Sequence, residues 1–187
     1  MMEQQAQKIE RRQCDVLVIG GGPAGSTVAP MLADKGHRVV MLEKAHHPRF
    51  HIGESLLPAN LPLFERMGIA EEVKAIGMLK PGAEFVSPNH DMSSVFCFAE
   101  AWDKSMPYAY QVRRDQFDTV LIRNAAKKGV EVHEGCKAKA VEFLPDNTVL
   151  VRAVHDDGSE SEWHARFLVD ASGRDTFLAN RFQIKHR

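Results

Sequence analysis

The chain has 187 residues, enough to bury a real core, and its apolar fraction of 44% with 26% charged residues is that of an ordinary globular domain. A formal net charge of −1 gives no bulk reason to expect nucleic acid or an anionic membrane as partner. Three widely spaced cysteines without a CxxC exclude a disulfide framework and fit reduced thiols in a cytoplasmic protein.

The polar start, MMEQQAQKIERRQ, has no apolar core of a signal peptide, so residues 1–13 are expected to form a disordered tail. No apolar run approaches the roughly 20 residues of a membrane span. Asp15–Ile19 reads as a buried strand, Gly22–Lys35 as a helix with Pro23 in its first turn, and Arg38–Leu42 as a second strand. Strand, glycine turn, helix and strand make a right-handed βαβ unit. Pro30 conflicts with that helix, because a proline inside one removes a hydrogen bond at a cost of about 3 kcal/mol, and a kink is expected there.

Downstream, an irregular segment (AHHPRFHIGESLLPANLP) precedes helical patterns at Leu61–Met67 and Glu71–Ile76. Short strands are expected at Ala83–Val86, Val95–Phe98 and Tyr108–Val112, then an amphipathic helix over Asp115–Lys128 with Phe117, Val120, Leu121 and Ala125 on one face. A strand at Val130–His133 follows. Ala138–Phe143, Val149–His155 and Glu162–Phe167 alternate apolar and polar residues around the turns PDN and DDGS, the pattern of a three-stranded antiparallel flap. A last buried strand, Phe167–Val169, runs into Asp170-Ala-Ser-Gly173.

Gly20, Gly22 and Gly25 match GxGxxG after a strand and before a helix. The first permits a tight turn, the second lets a pyrophosphate reach the backbone, and the third lets helix and strand pack closely. Gly20, Gly22, Ala24 and Gly25 therefore border a phosphate placed at the positive end of a helix. Glu43, ending the second strand, is placed for ribose hydroxyls, which favours FAD or NAD over a 2′-phosphorylated nucleotide. The histidines of HHPRFH (His46, His47, His51) lack supporting Cys or carboxylate spacing, so no metal site is assigned. Trp102, Tyr108 and Tyr110 are expected in the core rather than in a substrate cleft.

GGGPAGS, HPRFHIGESLLP, LKPGAEF, V-x-R-x-x-F-D (Val112 to Asp118) and DASG together resemble the FAD-dependent monooxygenase superfamily. Within it they are most similar to the flavin-dependent halogenases of phenolic, pyrrolic or carrier-bound substrates. The resemblance implies an α/β Rossmann-like FAD-binding fold of the glutathione-reductase type, with an antiparallel β-meander insertion. It also implies that residues 14–187 are an N-terminal FAD-binding domain lacking the substrate domain and the last FAD segment.

By the same resemblance, Arg49 and Arg114 would reach the polar side of the flavin, whose oxygens suit a guanidinium fork. Asp170 would hold the ribityl hydroxyls, with Gly173 allowing close approach, and Gly53 and Ser55 would shape the loop beside the isoalloxazine. Lys80 would be catalytic, relaying hypohalous acid made from FADH2, O2 and chloride or bromide to an electron-rich small molecule or carrier-protein-bound substrate. A separate flavin reductase would supply FADH2. A hydroxylating or epoxidising monooxygenase, a geranylgeranyl-reductase-like enzyme and an inactive FAD-binding fragment are the alternatives.

Overall fold

A computed structural model describes residues 9–185. Its elements, in chain order, begin with β1 (Glu10–Ile19), α1 (Pro23–Ala33), β2 (Val39–Leu42), α2 (Leu61–Met67), α3 (Ala70–Ile76), β3 (Gly77–Lys80), β4 (Gly82–Ser87) and β5 (Met92–Cys97). They continue with β6 (Ala109–Val112), α4 (Arg114–Lys127), β7 (Glu131–His133), β8 (Cys136–Phe143), β9 (Val149–His155), β10 (Glu160–Asp170) and α5 (Phe177–Arg181). The chain divides into two compact units, Met1–His47 with Leu121–Arg187, and Pro48–Val120.

The first unit is built on a six-stranded sheet in the order β7-β2-β1-β10-β9-β8. β1 runs parallel to β2 and β10, and β2 parallel to β7, whereas β9 is antiparallel to both β10 and β8. The Val16–Ile19 end of β1 is apolar without alternation because both its faces are covered. Val16 and Val18 pack with Ala29 of α1 and with Ile122 and Ala125 of α4. Leu17 and Ile19 pack with Val141, Val151 and Trp163 of the antiparallel strands.

Three differences from the sequence expectation stand out. Glu10–Gln13, expected in a disordered tail, belong to β1, while residues 1–8 lie outside the described residues. These four polar residues pair with Ser161–His164 of β10, Arg11 meets Glu162 at 3.0 Å and the Arg12 guanidinium lies 5.1 Å from the Trp163 ring. The meander is not a separate flap but continues the main sheet. Its third strand and the expected last buried strand are one 11-residue strand, β10, which is antiparallel to β9 over Glu160–Ala165 and parallel to β1 as far as Asp170.

The third concerns Pro30. α1 continues through it to Ala33, and the ring is fully buried, so apolar burial offsets the missing backbone donor.

In the second unit, α2 and α3 precede an antiparallel pair, β3 and β6, and a hairpin, β4 and β5. β3 was not expected from the sequence. Ser55 forms an isolated antiparallel bridge with Gln111, flanked by Leu56 N–H to Tyr110 O (3.0 Å) and Val112 N–H to Glu54 O (2.9 Å). Glu54–Leu56 is thus a minimal strand beside β6. Tyr110 is buried against Tyr108, but Trp102, expected in the core, is fully exposed, and Phe85 and Phe96 of the hairpin, though in edge contact with each other, are largely exposed. Among the described residues no helix is long and apolar enough to cross a membrane.

Candidate functional site

The predicted residues fall into two groups, one in each unit. In the first, the register of the sheet does the gathering. Ile19 pairs with Leu42 on one side and Asp170 on the other, so Gly20, Glu43 and Ala171 leave the sheet side by side at the carboxyl ends of three parallel strands. That edge is where open α/β sheets bind ligands.

The glycine turn is closed by contacts that leave no room for side chains. A Cβ on Gly20, whose φ is +104°, would stand 2.4 Å from the Ala171 carbonyl oxygen, and one on Gly25 would stand 1.9 Å from the Gly20 carbonyl oxygen. Close packing of turn, helix and strand therefore requires glycine at both positions. Gly22 is the N-cap of α1 and offers no side chain to cap it, and Pro23 has no N–H. The first-turn N–H groups of Ala24 and Gly25 point along the helix axis without intrahelical partners. A helix start with bare N–H groups beside a glycine cradle fits a pyrophosphate.

Glu43 is 4% exposed, and both its carboxylate oxygens are already engaged. One accepts the Gly21 N–H at 2.6 Å and the other the Ala45 N–H at 2.8 Å. The residue expected to hold a ribose also ties the glycine turn to the end of β2, and a carboxylate has further lone pairs for hydroxyl donors. Asp170 behaves similarly, accepting from Ser172 N–H (3.0 Å) and Leu178 N–H (2.7 Å). Gly173 opens a short 3-10 turn whose Asp175 pairs with Lys44, just after Glu43. A Cβ on Gly173 would meet no atom within 4 Å.

In the second unit, Asp118 is fully buried and receives Arg114 through two N–H bonds, from Nε at 2.8 Å and Nη2 at 2.9 Å. The remaining terminal nitrogen of Arg114 donates to the Ile52 and Gly53 carbonyls at 3.0 and 3.2 Å. Arg114 thus spends its fork on Asp118 and its remaining nitrogen on the 52–53 loop. Arg49 approaches the same carboxylate through Nη2 at 3.6 Å, and its buried Nε has no hydrogen-bond partner among the described residues. Lys80 Nζ donates to Ser55 Oγ at 2.6 Å and to the Leu56 carbonyl at 2.8 Å, with the Phe98 ring centroid 5.4 Å away.

Asp118 escaped the sequence reading as a site residue, although its four-residue spacing from Arg114 on one helix was a readable signal. Glu134 gave no signal at all. His47, whose side chain is fully buried, shares its Nδ1 with Glu134 Oε1 at 2.7 Å and donates its backbone N–H to the same oxygen at 2.7 Å, while Arg123 holds the other oxygen at 2.8 Å. His46 meets Asp156 at 2.7 Å, so these two histidines serve as carboxylate partners. Among the described residues no group of three His, Cys, Asp or Glu is arranged to hold a metal ion.

Residues 13–187 match the family described as the FAD binding domain. The chain is 40% identical over 179 residues to the flavin-dependent halogenase armH3 of Armillaria mellea, covering 92% of this chain and 34% of that protein. It is 37% identical over 169 residues to a tryptophan 2-halogenase of Chondromyces crocatus, covering 89% and 31%. The solved structure of the myxobacterial chondrochloren halogenase CndH is similar with a TM-score of 0.82 and 42% identity, over 89% of this chain and 38% of that one. A p-nitrophenol 4-monooxygenase of Pseudomonas putida, at 21% identity and a TM-score of 0.76, shares the fold. The chain spans about a third of the length of these curated relatives.

Proposed function

The chain belongs to the FAD binding domain family, and from that premise we propose that it is the cofactor-holding part of a flavin-dependent halogenase. The substrate class is an electron-rich aromatic, free or tethered to a carrier protein, as one relative is a chlorinase of a pyrrole carried on a peptidyl-carrier protein. A separate flavin reductase would feed it. The three cysteines are free, which suits the reducing cytoplasm.

In this reading the glycine turn and the α1 start hold the pyrophosphate, and Glu43 and Asp170 accept from ribose and ribityl hydroxyls. Reduced FAD, when bound, supplies two electrons to O2 and so the oxidising power to raise chloride to the hypohalous acid level. Lys80 then acts on that acid.

The observation that best supports the reading is how Lys80 is held. An ammonium has three donors, and Ser55 and Leu56 take two of them. The third is left to hydrogen-bond hypohalous acid and keep its electrophilic halogen turned toward substrate carbon. The test is the mass of product formed by the full-length protein with chloride or bromide and a panel of phenols and pyrroles. Lys80→Ala should abolish halogenated product. Oxygenated product without halogen from the wild type would move the assignment to a hydroxylase, and undiminished halogenation by Lys80→Ala would remove that residue from the chemistry.

A further inference from the structure

We propose that Ser55 is the positioning residue that aims Lys80, a proposal that rests on the halogenase reading above. Lys80 ends β3, where it pairs with Ala109, whereas Ser55 bridges Gln111 from the other edge of β6. The lysine side chain therefore reaches across β6 to find its partners. It is half-buried, and the Phe98 ring covers it at 5.4 Å. Of its two acceptors, the Leu56 carbonyl is fixed by the backbone, since Leu56 N–H is bonded to Tyr110 O at 3.0 Å. The Ser55 hydroxyl, at 2.6 Å, supplies the second point needed to stop rotation about the carbon–nitrogen bond. Two fixed acceptors define where the third N–H points, and one does not.

The Ser55 backbone is held in turn. The Arg114 guanidinium, clamped by buried Asp118, grips the Ile52 and Gly53 carbonyls, and Val112 N–H grips the Glu54 carbonyl. A line of contacts thus runs from Asp118 through Arg114 and residues 52–54 to the serine hydroxyl and the ammonium. Ser55 is itself exposed, so its hydroxyl adds nothing to core packing. Its service is to the lysine.

The experiment uses the full-length protein and two readouts. The first is trace acylation by acetic anhydride, followed at Lys80 and at exposed Lys74 by peptide mass spectrometry. Ser55→Ala should raise the Lys80 rate relative to Lys74 about fivefold, the effect of one lost hydrogen bond, and Ser55→Thr, which keeps the hydroxyl, should restore it. The second is halogenated product per flavin oxidised, which should fall roughly tenfold in Ser55→Ala and recover in Ser55→Thr, since misaimed groups lose rate steeply. Unchanged Lys80 acylation in Ser55→Ala overturns the proposal, as does faster acylation with wild-type product per flavin. Should Lys80→Ala still halogenate, the catalytic reading fails, but the acylation arm still decides whether Ser55 holds the lysine.

Discussion

Gly21 donates its backbone N–H to the Glu43 carboxylate at 2.6 Å, and this bond closes the glycine turn onto the end of β2. Removing the carboxylate strands two N–H groups, those of Gly21 and Ala45. Glu43→Ala should therefore cost about 2–4 kcal/mol even without ligand, at the usual penalty of each unsatisfied buried donor. Glu43→Gln, which keeps one acceptor, should cost less. Urea unfolding of the flavin-free protein measures both, and a midpoint unmoved by Glu43→Ala would contradict the structural role.

Steric closeness makes a second contrast between glycines. Gly25→Ala puts a methyl 1.9 Å from a carbonyl oxygen and forces the backbone apart, at an expected cost of about 3 kcal/mol with loss of bound flavin colour. Gly36 instead has a positive φ, +86°, but a Cβ there meets nothing within 4 Å. Gly36→Ala should cost only about 1 kcal/mol and leave flavin retention intact. Equal costs for the two would mean that crowding at the turn is not what demands glycine.

Thiol titration separates the cysteines. Burial pushes the Cys14 thiol up to about 12 and the Cys136 thiol up to about 11, while Cys97 is exposed on β5. At pH 8 the native protein should release one rapid equivalent with a disulfide reagent and all three only after denaturation. Cys97→Ser should abolish the rapid phase.

The His47–Glu134–Arg123 cluster sets an acid limit. Burial opposes ionisation of Glu134, but the His47 N–H groups and Arg123 outweigh it and hold the carboxyl below its ordinary value of 4.5. A depressed carboxyl stabilises the fold fully above the unfolded value and loses that contribution as pH falls through the folded one. Glu134→Gln should lower stability at pH 7 by about 2 kcal/mol, the worth of a charge-assisted bond, with the deficit shrinking below pH 4.5. Urea midpoints from pH 7 to 3 for both proteins decide it.

Much of the frame was legible because β1 and the glycine turn obey local rules. Val16–Ile19 is buried on both faces and reads apolar throughout, and α2 spans the expected Leu61–Met67. Glu10–Gln13 was illegible because cross-strand charge pairs and an arginine over Trp163, not apolar burial, hold it. β10 read as two strands because β1 flanks its whole length while β9 flanks only Glu160–Ala165, so the pattern changes where one of its two neighbours ends. In the site, residue types were readable but their bonds were not. Glu43 reaches Gly21 only through the register of β1 on β2, and Lys80 reaches Ser55 only through β6, and neither register is written in local spacing.

That dual strand, β10, also governs when the fold can close. Its first half zips onto β9 through a short turn, whereas the whole strand must dock beside β1, from which it is separated by most of the chain. On a ribosome adding about 5–20 residues each second, β1, α1 and β2 would wait roughly six to twenty-five seconds with one edge open before their central neighbour emerges. The late hairpin would by then be assembled, so β10 would arrive as the leading edge of a preformed sheet and not as a loose strand. During that interval the apolar edge of β1 is the part of the nascent chain most exposed to misassociation, and its polar start, Glu10–Gln13, is what keeps that edge from being apolar along its full length.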